Sequence, residues 1–451
     1  MASRFYVETL GCPKNEVDSE KLVGTLLAQG LTATDDESQA DVVVVNTCAF
    51  IEEARKESVA TILALSERRK SGARLVVTGC MAERYGEELR ANLPEADQIA
   101  GFGVAIETGV AAAATTVTTT AVSLGRKPSL GVTAQNVPSF DLLNLPRPAS
   151  RTPWAYVKIA EGCDRTCGFC AIPSFRGPQR SRDVASILNE VEQLQAKEIV
   201  LVAQDLASYG KDRPDELGAG AIVDLVRQVS AKVPRTRLLY LYPSDLSDDL
   251  IDVILASGVP YFDLSLQHVS KPHLRRMRRW GDGERFLKRI ADIRTREADA
   301  AFRSNFIVGY PGETEDDHDQ LLSFVSEASL DWCGFFEYSP EEGTYAVNLP
   351  DQVPAGLMAE RIAELRELQD GITAAKRDDL IDATVEVLVD EPGVGRSHRE
   401  APQIDGVIHV PTTLSAGSFV SVRIVDAHGP DLVADGADVE DPSARENEHA
   451  G

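Results

Sequence analysis

The period of apolar and polar positions changes along the chain, and each change marks a division. From residue 4 to about 105, short apolar runs alternate with stretches of helical spacing. "FYVETL", "DVVVVNT" and "ARLVVTG" read as strands, and "NEVDSEKLVGTLLAQG", "FIEEARKESVATILALSERRKSG" and "CMAERYGEELRANL" read as helices. Near-continuous valine runs fit strands buried on both faces, so this βαβαβα order predicts a parallel sheet covered by helices. The rhythm lapses between about 106 and 152, where "GVAAAATTVTTTAVSL" and "NLPRPASRTP" are Ala/Thr-rich and then Pro-rich. A linker is expected there, placed at 119–148, with a short strand within the stretch.

From Trp154 the strand-then-helix rhythm returns. "WAYVKIA", "EIVLVAQ", "RLLYLYP", "YFDLSLQ", "SNFIVGY" and "DWCGFFEYS" are six strands, which predicts an open or complete βα barrel over 149–380. The amphipathic "AGLMAERIAELRELQDGITAAKRDDLI" closes it. Beyond Asp382, "TVEVLVDE", "IDGVIHV" and "GSFVSVRIVDAHGPDLVADG" alternate with period two, as a small β-barrel of OB-like size does. The predicted class is α/β: a parallel N-terminal domain over 3–118, a partial barrel, and a small β-barrel over 382–448.

Charge narrows the function. The 451 residues carry a formal net charge of −25, a poor default for binding nucleic acid, whose phosphates need Lys and Arg. A basic protein partner suits such a chain better. No apolar run approaches a membrane span, and "MASRFYVETLGC" lacks the layout of a signal peptide, so a cytoplasmic protein is expected. In a reducing compartment seven cysteines are ligands or core thiols rather than disulfides.

Three of them stand in "KIAEGCDRTCGFCAIPSFRG", where Cys163, Cys167 and Cys170 directly follow the first barrel strand. Three thiolates on one loop form a compact cap for metal. Structural zinc normally takes a fourth ligand, and this loop supplies no further Cys or His. An iron–sulfur cube held by three cysteines keeps one iron open, which catalysis requires. Three more cysteines sit singly. Cys12 follows "YVETLG", Cys48 follows "VVVVNT" and Cys80 follows "LVVTG". Carboxyl ends of parallel strands share one edge, so these three converge there and look like ligands of a second cluster. Cys333, within "LDWCGFFEY", has no such partner and reads as core.

The C-x3-C-x2-C loop, with Phe169 before its third cysteine, matches the signature of radical S-adenosylmethionine enzymes. With the three-cysteine domain before it and a TRAM-like barrel after it, the chain resembles the methylthiotransferase family over nearly its whole length. "TLGCPKN", "LYPS", "LQHVS" and "REAPQIDG" resemble the branch that modifies an aspartate of small-subunit ribosomal protein S-twelve. Charge supports that branch independently: residues 382–451 hold 4 Arg, no Lys and 14 acidic residues. An acidic module steers a basic ribosomal protein better than it holds tRNA. The basic run "KPHLRRMRRW" works against this and could face RNA, and a helix's solvated flank or contacts within the barrel explain it equally well.

The resemblance implies two 4Fe–4S clusters and S-adenosylmethionine. The barrel cluster would cleave S-adenosylmethionine to a radical that takes hydrogen from the β-carbon of the aspartate. Sulfur would come from or by way of the cluster at Cys12, Cys48 and Cys80, and a second S-adenosylmethionine would give the methyl group. The partners implied are ribosomal protein S-twelve, free or assembled, and an electron donor, with no membrane and with nucleic acid secondary. Residues at strand ends are candidates for cofactor contact, since βα barrels place function there. They are Gln204, Asp205, Gln267, His268 and Gly309, with Ser244, Gly312 and Glu313 beside them, and the signature loop adds Phe169. No catalytic side chain is assigned. The rival readings are the tRNA adenosine branch of the family, a non-catalytic iron–sulfur protein, and a zinc-stabilised scaffold.

Overall fold

The computed structural model describes residues 3–109 and 140–437. Its first sheet is built from β1 (Arg4–Thr9), β2 (Thr32–Ala33), β3 (Val42–Thr47), β4 (Arg74–Gly79) and β5 (Gln98–Ala100), ordered β2-β1-β3-β4-β5 and parallel throughout. All six side chains of β3 are buried, as helices on both faces require. Those helices are α1 (Pro13–Ala28), α2 (Glu52–Arg68) and α3 (Cys80–Asn92). The strand order reverses between β1 and β3, and in such sheets that point opens a crevice at the carboxyl edge.

The expected strand in the Ala/Thr-rich stretch lies outside the described residues. Residues 140–148, expected in the linker, lie along α1. Lys21 Nζ donates to the carbonyls of Leu143 and Leu145, 2.8 and 3.0 Å away. Arg147 pairs with Glu20 and reaches Glu190, 3.0 Å away.

The barrel opens with β6 (Trp154–Lys158) and a short antiparallel pair, β7 (Ala160–Glu161) and β8 (Arg180–Ser181), that frames the cysteine loop. Helix α4 (Ile172–Arg176) lies inside that loop. Strands β9 (Glu198–Val202), β10 (Arg235–Leu238), β11 (Tyr261–Gln267), β12 (Ala301–Val308) and β13 (Trp332–Glu337) follow. They form two parallel sheets, β10-β9-β6 and β11-β12-β13, joined by one parallel bridge, Leu241 to Leu264. The barrel is therefore partial. "RLLYLYP" stops early as a strand because Tyr240 takes a left-handed φ of 65° while its N–H donates to Asp263, 2.9 Å away. Helix 355–378 packs against β13, and Cys333 is partly buried against the main core.

The C-terminal strands β14 (Thr384–Glu391), β15 (Val394–Arg396), β16 (Ile408–His409), β17 (Phe419–His428) and β18 (Asp431–Ala434) close into a barrel. Of the expected strand "IDGVIHV", only Ile408–His409 pairs. The preceding segment, 396–405, instead seals the amino-terminal end of the large barrel. Arg237 donates to the His398 carbonyl (2.9 Å), Trp332 to that of Arg399 (2.7 Å) and Tyr156 to that of Pro402 (2.8 Å). Its charges are matched rather than free. Glu198 bridges Arg237 and Arg396 at 2.7 and 3.2 Å, Arg377 pairs with Glu400, and Arg303 with Asp405. Burial alone would raise Glu198, yet Arg237 and Arg396 hold it at about 2. Three of the acidic residues counted in the tail (Asp390, Glu400 and Asp405) are thus spent on arginines.

Candidate functional site: two cysteine trios on facing edges

Cys12 ends the turn after β1, Cys48 follows β3, and Cys80 opens α3 directly after β4. Two glycines make this convergence sterically feasible. Gly11 has a φ of +98°, and a Cβ there would stand 3.0 Å from Cys48 Sγ. Gly79 has a φ of +90°, and a Cβ there would stand 2.2 Å from Asn46 Oδ1. Only glycine accepts both the left-handed backbone and the close neighbour. Asn15 fixes the floor by donating to the carbonyls of Leu10 (2.9 Å) and Thr47 (3.0 Å).

The three thiols differ electrostatically. Burial pushes Cys48 up to about 12 and raises Cys80 against the pull of Arg176. Burial works to raise Cys12 too, but Lys14, Arg176 and the N–H groups opening α1 outweigh it and leave it below the ordinary thiol value.

The second trio is held by its loop. Cys163 N–H donates to the Gly177 carbonyl (3.0 Å), Gly168 N–H to that of Met277 (2.8 Å), and Ala346 N–H to that of Gly168 (2.8 Å). Two donors face its sulfurs, Arg165 N–H at 3.4 Å from Cys163 Sγ and Arg279 at 3.4 Å from Cys167 Sγ. Both guanidinium groups stack on Tyr242, at 3.8 and 4.0 Å from the ring centroid. Burial raises Cys163 to about 11 and Cys170 to about 12. All six thiols are free, and soft thiolates flanked by N–H donors fit an iron–sulfur cluster.

The other candidates sort unevenly. Phe169 packs against the main core. Gln204 Nε2 donates to Glu161 at 2.7 Å, and its Oε1 is buried without a partner. Asp205 is engaged by Arg165 Nε at 2.6 Å and steadies the cysteine loop. Gln267 ends β11 with a φ of 72°. His268 is fully buried, accepts from Ser270 N–H (3.1 Å) and keeps Nε2 unpartnered. Its ring lies 4.4 Å from that of His273. Gly309 and Gly312 both take a left-handed φ, near +80°, with Met358 Sδ and Arg276 close to where a Cβ would stand. Ser244 is exposed, while Glu313 is buried and paired with Arg361 at 2.8 Å. His268, His273 and Glu313 bring their ligand atoms within 4.8 Å, but the Glu313 charge is already spent on Arg361.

Sequence reasoning missed the polar bridge between the trios. Arg176, Asp18, Lys158 and Glu161 are mutually paired with little exposure. The signal was available: Lys158 and Glu161 interrupt an otherwise apolar "WAYVKIAEGC".

Three family models match the chain: Uncharacterized protein family UPF0004 over residues 4–101, Radical SAM superfamily over 157–325, and TRAM domain over 379–436. The "Ribosomal protein uS12 methylthiotransferase RimO" of Moorella thermoacetica is 41% identical over 440 residues, covering 94% of this chain and 97% of that protein. The chain belongs to this methylthiotransferase family. The RimO of Myxococcus xanthus is likewise 41% identical, over 98% of this chain and 94% of its own, and that of Aquifex aeolicus 40%, over 94% and 95%. Among solved structures, the radical S-adenosylmethionine methyltransferase TsrM from Kitasatospora setae aligns with a TM-score of 0.47 and 14% identity, covering 74% of this chain and 73% of that one. The chain is a radical S-adenosylmethionine methylthiotransferase, and its superfamily implies a 4Fe–4S cluster and S-adenosylmethionine. Among the described residues no helix is long and apolar enough to cross a membrane.

Proposed function

We propose that this chain adds a methylthio group to the β-carbon of an aspartate in ribosomal protein uS12. The observation that carries the reading is the near-full-length similarity to uS12 methylthiotransferases. Cys163, Cys167 and Cys170 would hold the cluster that serves S-adenosylmethionine, and Cys12, Cys48 and Cys80 a second cluster. When bound, the first cluster and S-adenosylmethionine supply a radical able to take an unactivated hydrogen.

This chain's own residues supply placement. Arg165 and Arg279 offer N–H groups to two loop sulfurs, and Asp205 fixes Arg165 against the loop. Gln204, whose oxygen is unpartnered, and His268, whose Nε2 is unpartnered, are two polar groups able to meet a cofactor near these strand ends. In the basic run, Arg276 donates to the Gly312 carbonyl (2.7 Å), Arg278 stacks on Tyr345 (3.8 Å) and Arg279 faces Cys167. Three of the run's four arginines thus contact the barrel, while Arg275 and Lys271 stay exposed on its flank. A separate electron donor and a cytoplasmic setting belong to the same reading.

The test is an anaerobic reaction of reconstituted enzyme, S-adenosylmethionine and reductant with either uS12 or tRNA, read by mass spectrometry. A methylthio adduct on the uS12 aspartate is expected. An adduct on tRNA alone would overturn the substrate and leave the cluster sites standing.

A further inference from the structure

Arg176 stands six residues after Cys170, at the end of α4, yet its side chain leaves the barrel and enters the other trio. One arm of the guanidinium, Nη2, lies 3.0 Å from Cys80 Sγ and 2.8 Å from Asn15 Oδ1. The other arm, Nη1, meets Glu161 at 2.9 and 3.1 Å and Asp18 at 3.2 Å. Lys158 binds the same two carboxylates. Asp18, Asn15 and Cys80 come from the N-terminal domain, and Lys158, Glu161 and Arg176 from the barrel. The Phe102 ring covers the guanidinium, 4.4 Å from its centroid.

We propose that Arg176 is a positioning residue that donates an N–H···S hydrogen bond to a ligating Cys80 and thereby raises the reduction potential of the cluster beside it. The inference rests on the assignment of Cys12, Cys48 and Cys80 as ligands. Two cations and two carboxylates balance within the bridge, so the arm on Cys80 is not required for internal neutrality. It is aimed by a planar fork whose opposite edge is clamped, and the side chain is 3% exposed. Hydrogen bonds to cluster sulfurs stabilise the electron-rich, reduced state and so shift the potential upward. Because the donor belongs to the loop bearing Cys163, Cys167 and Cys170, the second cluster is tuned by the chain segment that holds the first.

The test uses full-length protein with Cys163, Cys167 and Cys170 replaced by Ala, so that one cluster remains after anaerobic reconstitution. Redox titration followed by electron paramagnetic resonance compares this parent with Arg176→Met. The double variant Glu161→Gln/Arg176→Met guards against misfolding from an unpaired carboxylate. The expected result is a lower midpoint in both variants, with the reduced-to-oxidised ratio at the parent midpoint down at least tenfold, or about 59 mV for a one-electron couple, and an altered spectrum. A reduced-to-oxidised ratio within twofold of the parent's at that potential would overturn the proposal. Folded variants of both kinds that lose their iron would mean that Arg176 retains the cluster rather than tunes it, and would also overturn it. A parent without iron would defeat the ligand assignment itself, an outcome seen before any Arg176 variant is measured.

Discussion

The two cysteine trios are built by opposite means. Cys163, Cys167 and Cys170 share one loop, closed on itself by Cys163 N–H to Gly177 and braced from outside by Met277 and Ala346. Cys12, Cys48 and Cys80 belong to three strand ends, and they meet only because β1, β3 and β4 are neighbours in the sheet. A site made by a loop depends on that loop. A site made by topology depends on every backbone approach that brings its strands together.

The sharpest way to break this contrast is Gly79→Val. A side chain there collides with Asn46 and the Thr47 backbone, so the N-terminal trio should lose its cluster while the loop trio keeps its own. Iron per chain should fall from about eight to about four, with S-adenosylmethionine cleavage retained. Equal loss from both sites would show that they are one cooperative unit.

A second variant should touch neither trio. Arg237→Ala leaves Glu198 buried beneath the 396–405 segment with one partner fewer, and removal of one side of a buried pair costs about 3–5 kcal/mol. Chemical denaturation should register that loss while iron content stays unchanged. A loss of iron as large as the loss of stability would mean that the barrel base and the cluster edge are not separable.

The smallest expected effect is acid sensitivity. Burial lowers both His273 and His398 to about 4. Between about 6.5 and 4 the unfolded chain binds protons that the folded chain refuses, so stability falls as pH falls through that window. Glu198 and Glu400, held at about 2 by arginines despite burial, contribute stability that is lost only further down, between about 4.5 and 2. Thermal melts across pH 7 to 4 should decline, and His398→Gln should flatten the decline. An unchanged slope would remove His398 from the account.

The sequence carried much of this architecture because period reports burial directly. "YFDLSLQ" is the strand Tyr261–Gln267, residue for residue, and the cysteine after each valine-rich run marked the sheet edge. Features set by tertiary pairing were not legible. "REAPQIDG" carries no periodic signal of a packing role, yet its Arg399, Pro402 and Ile404 carbonyls satisfy Trp332, Tyr156 and Arg303 at the barrel base. Tyr240 ends a strand through a left-handed turn that local propensity does not signal. Arg176, two residues before a proline in a cysteine loop, gives no local sign that its partner is Cys80, 96 residues away.

The most direct test of two separate sites with separate tasks is the triple variant Cys12→Ala/Cys48→Ala/Cys80→Ala, reconstituted anaerobically and assayed with uS12. About four iron per chain, retained reductive cleavage of S-adenosylmethionine and no methylthio adduct is the predicted result. Unchanged iron content, or an adduct formed at the parent rate, would contradict it.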